Sequence, residues 1–238
     1  MATKVAPPTG QLVFQPRFQF ADGDVTHQGT GFVVAASDGT PVGVTSAHFL
    51  DFEGAPMLSA EWLAGLADEE IFQFTHSLGA PGDGGQVGPT EFDLRRDYFI
   101  VVGDENNFAV CKPLELDDRP LPNVGERVWL PNKDPNAKDG HVLVEGKVDE
   151  VTRKYIGIEL DDELRLQSQS GSPIISQQTG KVIGTLARGA TEGGVTYLRL
   201  CPTEGIANLI RTETAKIKLQ NAVGDPTEVP QPGSTQDP

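Results

Sequence analysis

Ser168-Gln169-Ser170-Gly171-Ser172-Pro173 is the stretch on which the reading of this chain turns. Three hydroxyls, a glycine and a proline make a tight, small-residue turn, and Pro173-Ile174-Ile175-Ser176 has the composition of a strand leaving it. Alone, such a turn is commonplace. Two upstream segments give it meaning: Thr45-Ser46-Ala47-His48, which closes a run of strand-like sequence, and Asp97-Tyr98-Phe99-Ile100-Val101, where an acid stands directly before a buried-strand pattern. A serine hydroxyl is a weak nucleophile until a base takes its proton, and the base needs a third group to orient it. A hydroxyl, an imidazole and a carboxylate are therefore the parts of a nucleophilic hydrolase. The order His, Asp, Ser argues against the hydrolases that carry G-x-S-x-G with the histidine last.

Outward from these segments the chain reads as short strands. Residues 11–20, 29–36 and 41–46 are apolar or alternating runs broken by Ala-Asp-Gly-Asp and Ser-Asp-Gly-Thr, the chemistry of hairpin turns. Residues 61–72 (EWLAGLADEEIF) have the composition of one or two helical turns, and 79–90 are too rich in Gly and Pro to be other than a surface loop. Strand pattern resumes at 98–102 and 108–111. After a connector at 112–123, six further strands are expected at 127–131, 141–151, 155–160, 173–176, 181–187 and 195–200. Two such sets of five or six short strands predict an all-β chain of two antiparallel β-barrels or sandwich halves. The domains are then 10–113, with His48 and Asp97, and 114–220, with Ser170 and a closing helix over 202–220. Ile206, Leu209, Ile210 and Ile217 form the apolar stripe of that helix. Residues 221–238, with four prolines and no Lys or Arg, read as a flexible tail.

Composition narrows the function. Of 238 residues, 19 are Lys or Arg and 34 are Asp or Glu, a formal net charge of −15. Phosphate backbones need a basic surface, so nucleic acid is excluded as a general partner. Residues 1–113 hold 5 basic and 15 acidic side chains, so the first half carries most of the negative field and is expected to steer basic substrates towards the cleft. Gly (27) and Pro (18) make up almost a fifth of the chain, which favours turns over long helices. No run of about 18 apolar residues is present, so no membrane partner is expected, and the opening residues lack a secretion signal, which points to the cytoplasm. Cys111 and Cys201 lie in no metal-binding spacing and read as buried reduced thiols. His27, His76 and His141 are isolated and read as surface or loop residues. Asp22-Gly23-Asp24 and Asp161-Asp162-Glu163 lack the spacing of a calcium loop and read as solvated turns.

Taken together, the three segments resemble the chymotrypsin-like (trypsin-fold) serine peptidases, in the compact form of bacterial and viral members. The family's T-A-A-H is similar to residues 45–48, its Asp before an apolar strand to Asp97, and its G-D-S-G-[GS]-P turn to residues 168–173. Weaker echoes are Gly29-Thr30-Gly31-Phe32, Val124 to Val128, Gly184 to Gly189, Val195-Thr196-Tyr197 and the closing helix. The resemblance implies two six-stranded antiparallel β-barrels with the active site between them and a C-terminal helix, and a serine endopeptidase acting on peptides or proteins through an acyl-enzyme, with no metal or cofactor. His48 would be the base, Asp97 its orienting acid and Ser170 the nucleophile, with the Ser168 and Ser170 amides as oxyanion donors. Ser170 keeps the family register to Gly171 and Pro173, which Ser168 and Ser172 would break. Asp97 is preferred to Asp93 because a strand follows it directly.

Three departures are informative. Ser168 stands where the family has Gly. Gln169 replaces the Asp that receives a new N-terminal amine in zymogens, so no such activation is expected. On the edge strand Ala187-Arg188-Gly189, expected to pair with substrate, Arg188 replaces an aromatic, and Leu164 falls at the pocket floor. A catalytically silent module of the same fold, capturing a peptide by strand addition, is the competing reading.

Overall fold

A computed structural model describes residues 5–20, 25–26, 29–50, 57–63, 71–73, 77–78, 97–102, 111–134 and 136–223. Eight strands come from the first half: β1 (Gln15–Phe20), β2 (Val25–Thr26), β3 (Gly31–Ala35), β4 (Pro41–Thr45), β5 (Met57–Leu63), β6 (Ile71–Gln73), β7 (Ser77–Leu78) and β8 (Phe99–Val102). They form two four-stranded sheets, β2-β1-β5-β6 and β3-β4-β8-β7, joined where Phe14 and Gly31 exchange backbone hydrogen bonds of 2.9 and 2.8 Å. Where a single closed six-stranded barrel is expected, the described strands thus make two abutting sheets.

The second half follows expectation closely. Strands β9 (Arg127–Lys133), β10 (His141–Val151), β11 (Ile156–Leu160), β12 (Pro173–Ser176), β13 (Val182–Glu192) and β14 (Val195–Pro202) close into a barrel in the order β10-β11-β14-β13-β12-β9. Closure pairs every strand on both sides, but β12 covers β13 only over Val182–Thr185, so β13 runs on past it with one side unpaired. One 21-residue helix, α1 (Thr203–Val223), ends the described chain.

Strand alternation builds two cores from one set of strands. On β9 and β12, Val128, Leu130 and Ile174 face the barrel interior, where they meet Ile158, Leu198 and Leu200. Their neighbours Trp129 and Ile175 point outward, into a second core shared with Phe32, Val34, Val44 and Ile100 of the first half and with Ile206 and Ile210 of α1. The helix stripe therefore seals the seam between the halves. Gly205 lets it close in: a Cβ there would lie 2.6 Å from the Tyr98 hydroxyl, one residue from Asp97. The connector is stitched to both sides, Leu114 donating to Val33 O and Asp117 to Val182 O, each at 2.8 Å.

Two expectations change. Residues 61–63 and 71–73 are strand, not helix: Glu61, Trp62 and Leu63 pair with Arg17, Pro16 and Gln15. Cross-strand pairing outweighs the helix propensity of Glu, Leu and Ala there. His141 is buried rather than surface-exposed, opening β10 with Nδ1 2.8 Å from the Asp139 carbonyl. Cys111 and Cys201 are buried and not joined in a disulfide, as expected, and burial pushes the Cys111 thiol up to about 12. Asp161 pairs with Arg127. His27, His76, the strand at 108–110, the loop at 79–90, Asp22-Gly23-Asp24 and the tail from 224 lie outside the described residues.

Candidate active site

β4 ends at Thr45, and the chain turns through Ser46 into a short 3-10 helix, Ala47–Leu50, that carries His48. Asp97 stands at the start of β8, which lies beside β4 in the same sheet, Thr45 opposite Phe99. The pairing brings imidazole and carboxylate together. Asp97 is 3% exposed; its Oδ1 accepts the His48 backbone N–H and its Oδ2 bonds His48 Nδ1, both at 2.9 Å. A carboxylate only accepts, so Nδ1 carries the proton and the lone pair of the neutral ring sits on Nε2.

The Ser168–Ser172 turn is folded onto the same corner. Gly171 has φ 88°, and a Cβ on it would overlap the Thr30 carbonyl and lie 2.6 Å from Thr45 Oγ1 and 3.1 Å from the Ser46 amide. Only glycine allows this approach, which sets the residue after Ser170 against the residues just before His48. The Gly171 amide donates to Leu186 O at 2.7 Å, the Ser46 hydroxyl reaches the same carbonyl at 3.1 Å, and Leu186 returns its own N–H to Ser172 O at 2.8 Å. Leu186 precedes a bulge in β13, where the register against β14 shifts between Leu186 and Arg188. Such a bulge re-aims one residue, here Ala187, whose carbonyl lies 3.4 Å from Ser170 Oγ.

Among the described residues, the amides of Ser168 and Ser170 find no acceptor within the protein. Ser168 has φ 63°, the one non-glycine residue described with a positive φ. Gln169 is buried and bonds the Asn132 side chain at 2.6 Å, an uncharged pair at the middle of the turn.

Beyond Ala187, Arg188 and Gly189 are exposed and border an open cleft of about 470 Å³ lined also by Ala190, Glu192, Tyr197 and Arg199. Arg199 is held by Asp149 and Glu150 at 3.6 and 3.5 Å and lies over the Tyr155 ring, whereas Arg188 has no ion pair among the described residues. Leu164 is half-buried against the barrel core, its amide donating to Thr196 Oγ1 at 3.0 Å. Leu166 is the nearer neighbour of the edge strand, since a Cβ on Gly189 would lie 2.7 Å from its Cδ1. Asn132, Lys133 and Leu166 carry no signal in the sequence, and Thr30 stands out there only within the Gly29–Phe32 segment and not as a site residue, because each acts through a partner distant in the chain. Among the described residues no cluster of side chains suits a metal ion.

Known structures share the fold. The Rv3671c protease of M. tuberculosis, in its active form, matches with a TM-score of 0.56 at 19% identity, covering 89% of each chain. The thermostable serine protease AL20 from an extremophilic microorganism matches at 0.58 and 14% identity, over 87% of this chain and 98% of that one. This chain has the trypsin-like serine protease fold. Kallikrein-related peptidase 10 shares it, with a TM-score of 0.55 and 16% identity over 91% of this chain and 100% of its own. At these identities the likeness establishes the trypsin-like fold alone; no family model and no curated protein matches the sequence. His48, Asp97 and the Ser170 turn lie where the two halves of this fold meet.

Proposed function

We propose that the protein is a serine endopeptidase with His48, Asp97 and Ser170 as its triad. The observation that carries this reading is the pair of hydrogen bonds that one buried carboxylate accepts from His48, from its backbone amide and from Nδ1. It fixes the ring, and with it the tautomer that a general base needs. Ser170 Oγ attacks the scissile carbonyl as Nε2 takes its proton, giving a tetrahedral oxyanion. The Ser168 and Ser170 amides, which have no acceptor of their own, stabilise that charge. Collapse passes the proton from His48 to the leaving amine and leaves an acyl-enzyme on Ser170. Water activated by His48 then hydrolyses the ester and restores the free hydroxyl.

The substrate is a peptide or protein. Its backbone pairs with the Ala187-Arg188-Gly189 edge, and the side chain before the scissile bond enters towards Leu164 and Leu166. The apolar character of both leucines favours an apolar residue there. A peptide-library cleavage profile tests the whole reading. Wild type is expected to cleave, and Ser170→Ala and His48→Ala to lose cleavage while keeping the wild-type melting curve. Cleavage retained by folded Ser170→Ala would rule Ser170 out as the nucleophile.

A further inference from the structure

Thr30 is fully buried in the first half, yet its bonds go to the turn of the second half. Its hydroxyl donates to Ser168 O and its amide to Ser170 O, each at 2.8 Å, across 138 residues of chain in the first case. It is held in turn from two sides. The Thr45 hydroxyl donates to the Thr30 carbonyl at 2.7 Å, and Lys133 Nζ donates to Gly29 O at 2.6 Å. Lys133 follows Asn132, the partner of Gln169, so the end of β9 braces both Thr30 and the middle of the turn.

The turn needs such a brace. Ser168 adopts a left-handed backbone that a residue with a Cβ rarely takes, and φ there sets the direction of its N–H. A bond to the Ser168 carbonyl fixes the peptide plane on the far side of that residue. A bond to the Ser170 carbonyl does the same two residues on. With Gln169 uncharged, no buried ion pair from the turn supplies this hold.

We propose that Thr30 is a positioning residue for the oxyanion-binding amides: its hydroxyl holds Ser168 in the conformation that aims the Ser168 N–H into the site, and Lys133 braces Thr30 through the Gly29 carbonyl. The proposal rests on the reading of Ser168 and Ser170 as oxyanion donors. Thr30 touches no reacting atom, and its effect is on the transition state alone.

The test compares wild type with Thr30→Val, Thr30→Ser and Lys133→Met in hydrolysis of a chromogenic peptide and in inhibition by a peptide aldehyde, whose hemiacetal oxygen occupies the oxyanion position. Thermal melts of each variant accompany the kinetics. Thr30→Val is expected to lower kcat about 10- to 100-fold, less than removing an oxyanion donor outright, with KM nearly unchanged and aldehyde affinity reduced by the same factor. Thr30→Ser restores both, and Lys133→Met gives a smaller loss in the same direction. Wild-type kcat and aldehyde affinity in folded Thr30→Val overturn the proposal. So does a loss confined to melting temperature, or one that Thr30→Ser fails to rescue. Folded wild type that neither cleaves the peptide nor binds the aldehyde overturns the peptidase reading itself, a separate result from failure of Thr30→Val alone.

Discussion

Asp97 does two things that an amide cannot do together: it accepts from the His48 backbone and from the His48 ring. Asp97→Asn keeps the size but presents a donor to one of them, which favours the wrong tautomer. The expected result is a kcat lower by about 10⁴-fold with little change in KM, read by steady-state kinetics. Gly171→Ala is the steric counterpart. Its Cβ would overlap the Thr30 carbonyl at a φ of 88°, so the turn must move. We expect loss of activity together with a lower melting temperature, checked by calorimetry. At this scale the site was legible wherever residue and neighbours lie in one short segment, as in 45–48 and 168–173. Thr30 and Lys133 were not, because their partners lie 138 and 104 residues away and only folding brings them close.

The strands of the second barrel are legible in the sequence to within two residues at most ends, since their apolar alternation is regular and Gly or Pro marks most of them; β13 is the exception, running on to Glu192 rather than ending at Ala187. The first half was harder. Glu61-Trp62-Leu63 has helix-forming composition, and only pairing with Gln15-Pro16-Arg17 makes it a strand. Sequence also gave no sign of the bulge in β13, which is a matter of register rather than composition. Its consequence is functional in the proposed site: past Ala187, the edge presents Arg188 as a cation with no ion pair among the described residues. Arg188→Glu is expected to shift kcat/KM about 5-fold away from peptides with an acidic residue upstream of the scissile bond and towards basic ones, an exposed pair being worth up to about 1 kcal/mol. Hydrolysis of a small ester that stops short of Arg188 should not change. A profile that is unaltered by Arg188→Glu would remove this edge from the substrate path.

Across the whole molecule, the halves are joined by the shared core, the helix and a connector fixed by buried charge. Arg119 bonds Asp117 at 2.7 Å and Glu126 at 2.8 Å, and Ser176 and Thr179 donate to the same carboxylates. Burial raises both acids, but the bonds from Arg119 and these hydroxyls outweigh it and hold them below the usual carboxylate range. A lowered carboxylate contributes stability above its unfolded value and loses it as pH falls through the folded one. Arg119→Met strands two buried carboxylates and should cost about 3–5 kcal/mol at pH 7, a deficit that shrinks as pH falls and both carboxylates take up protons, measured by urea titration across pH. The acidic surplus of residues 1–113 should also make kcat/KM for basic peptides fall with ionic strength. The purpose of this assembly, in our reading, is to present one activated serine at the seam. Incubation of the folded protein with a fluorophosphonate, followed by intact mass and peptide mapping, examines that serine directly. One adduct on Ser170, absent from Ser170→Ala and lost when His48 is replaced by Ala, is the result predicted; folded protein that stays unmodified, or is modified at another serine, would contradict it.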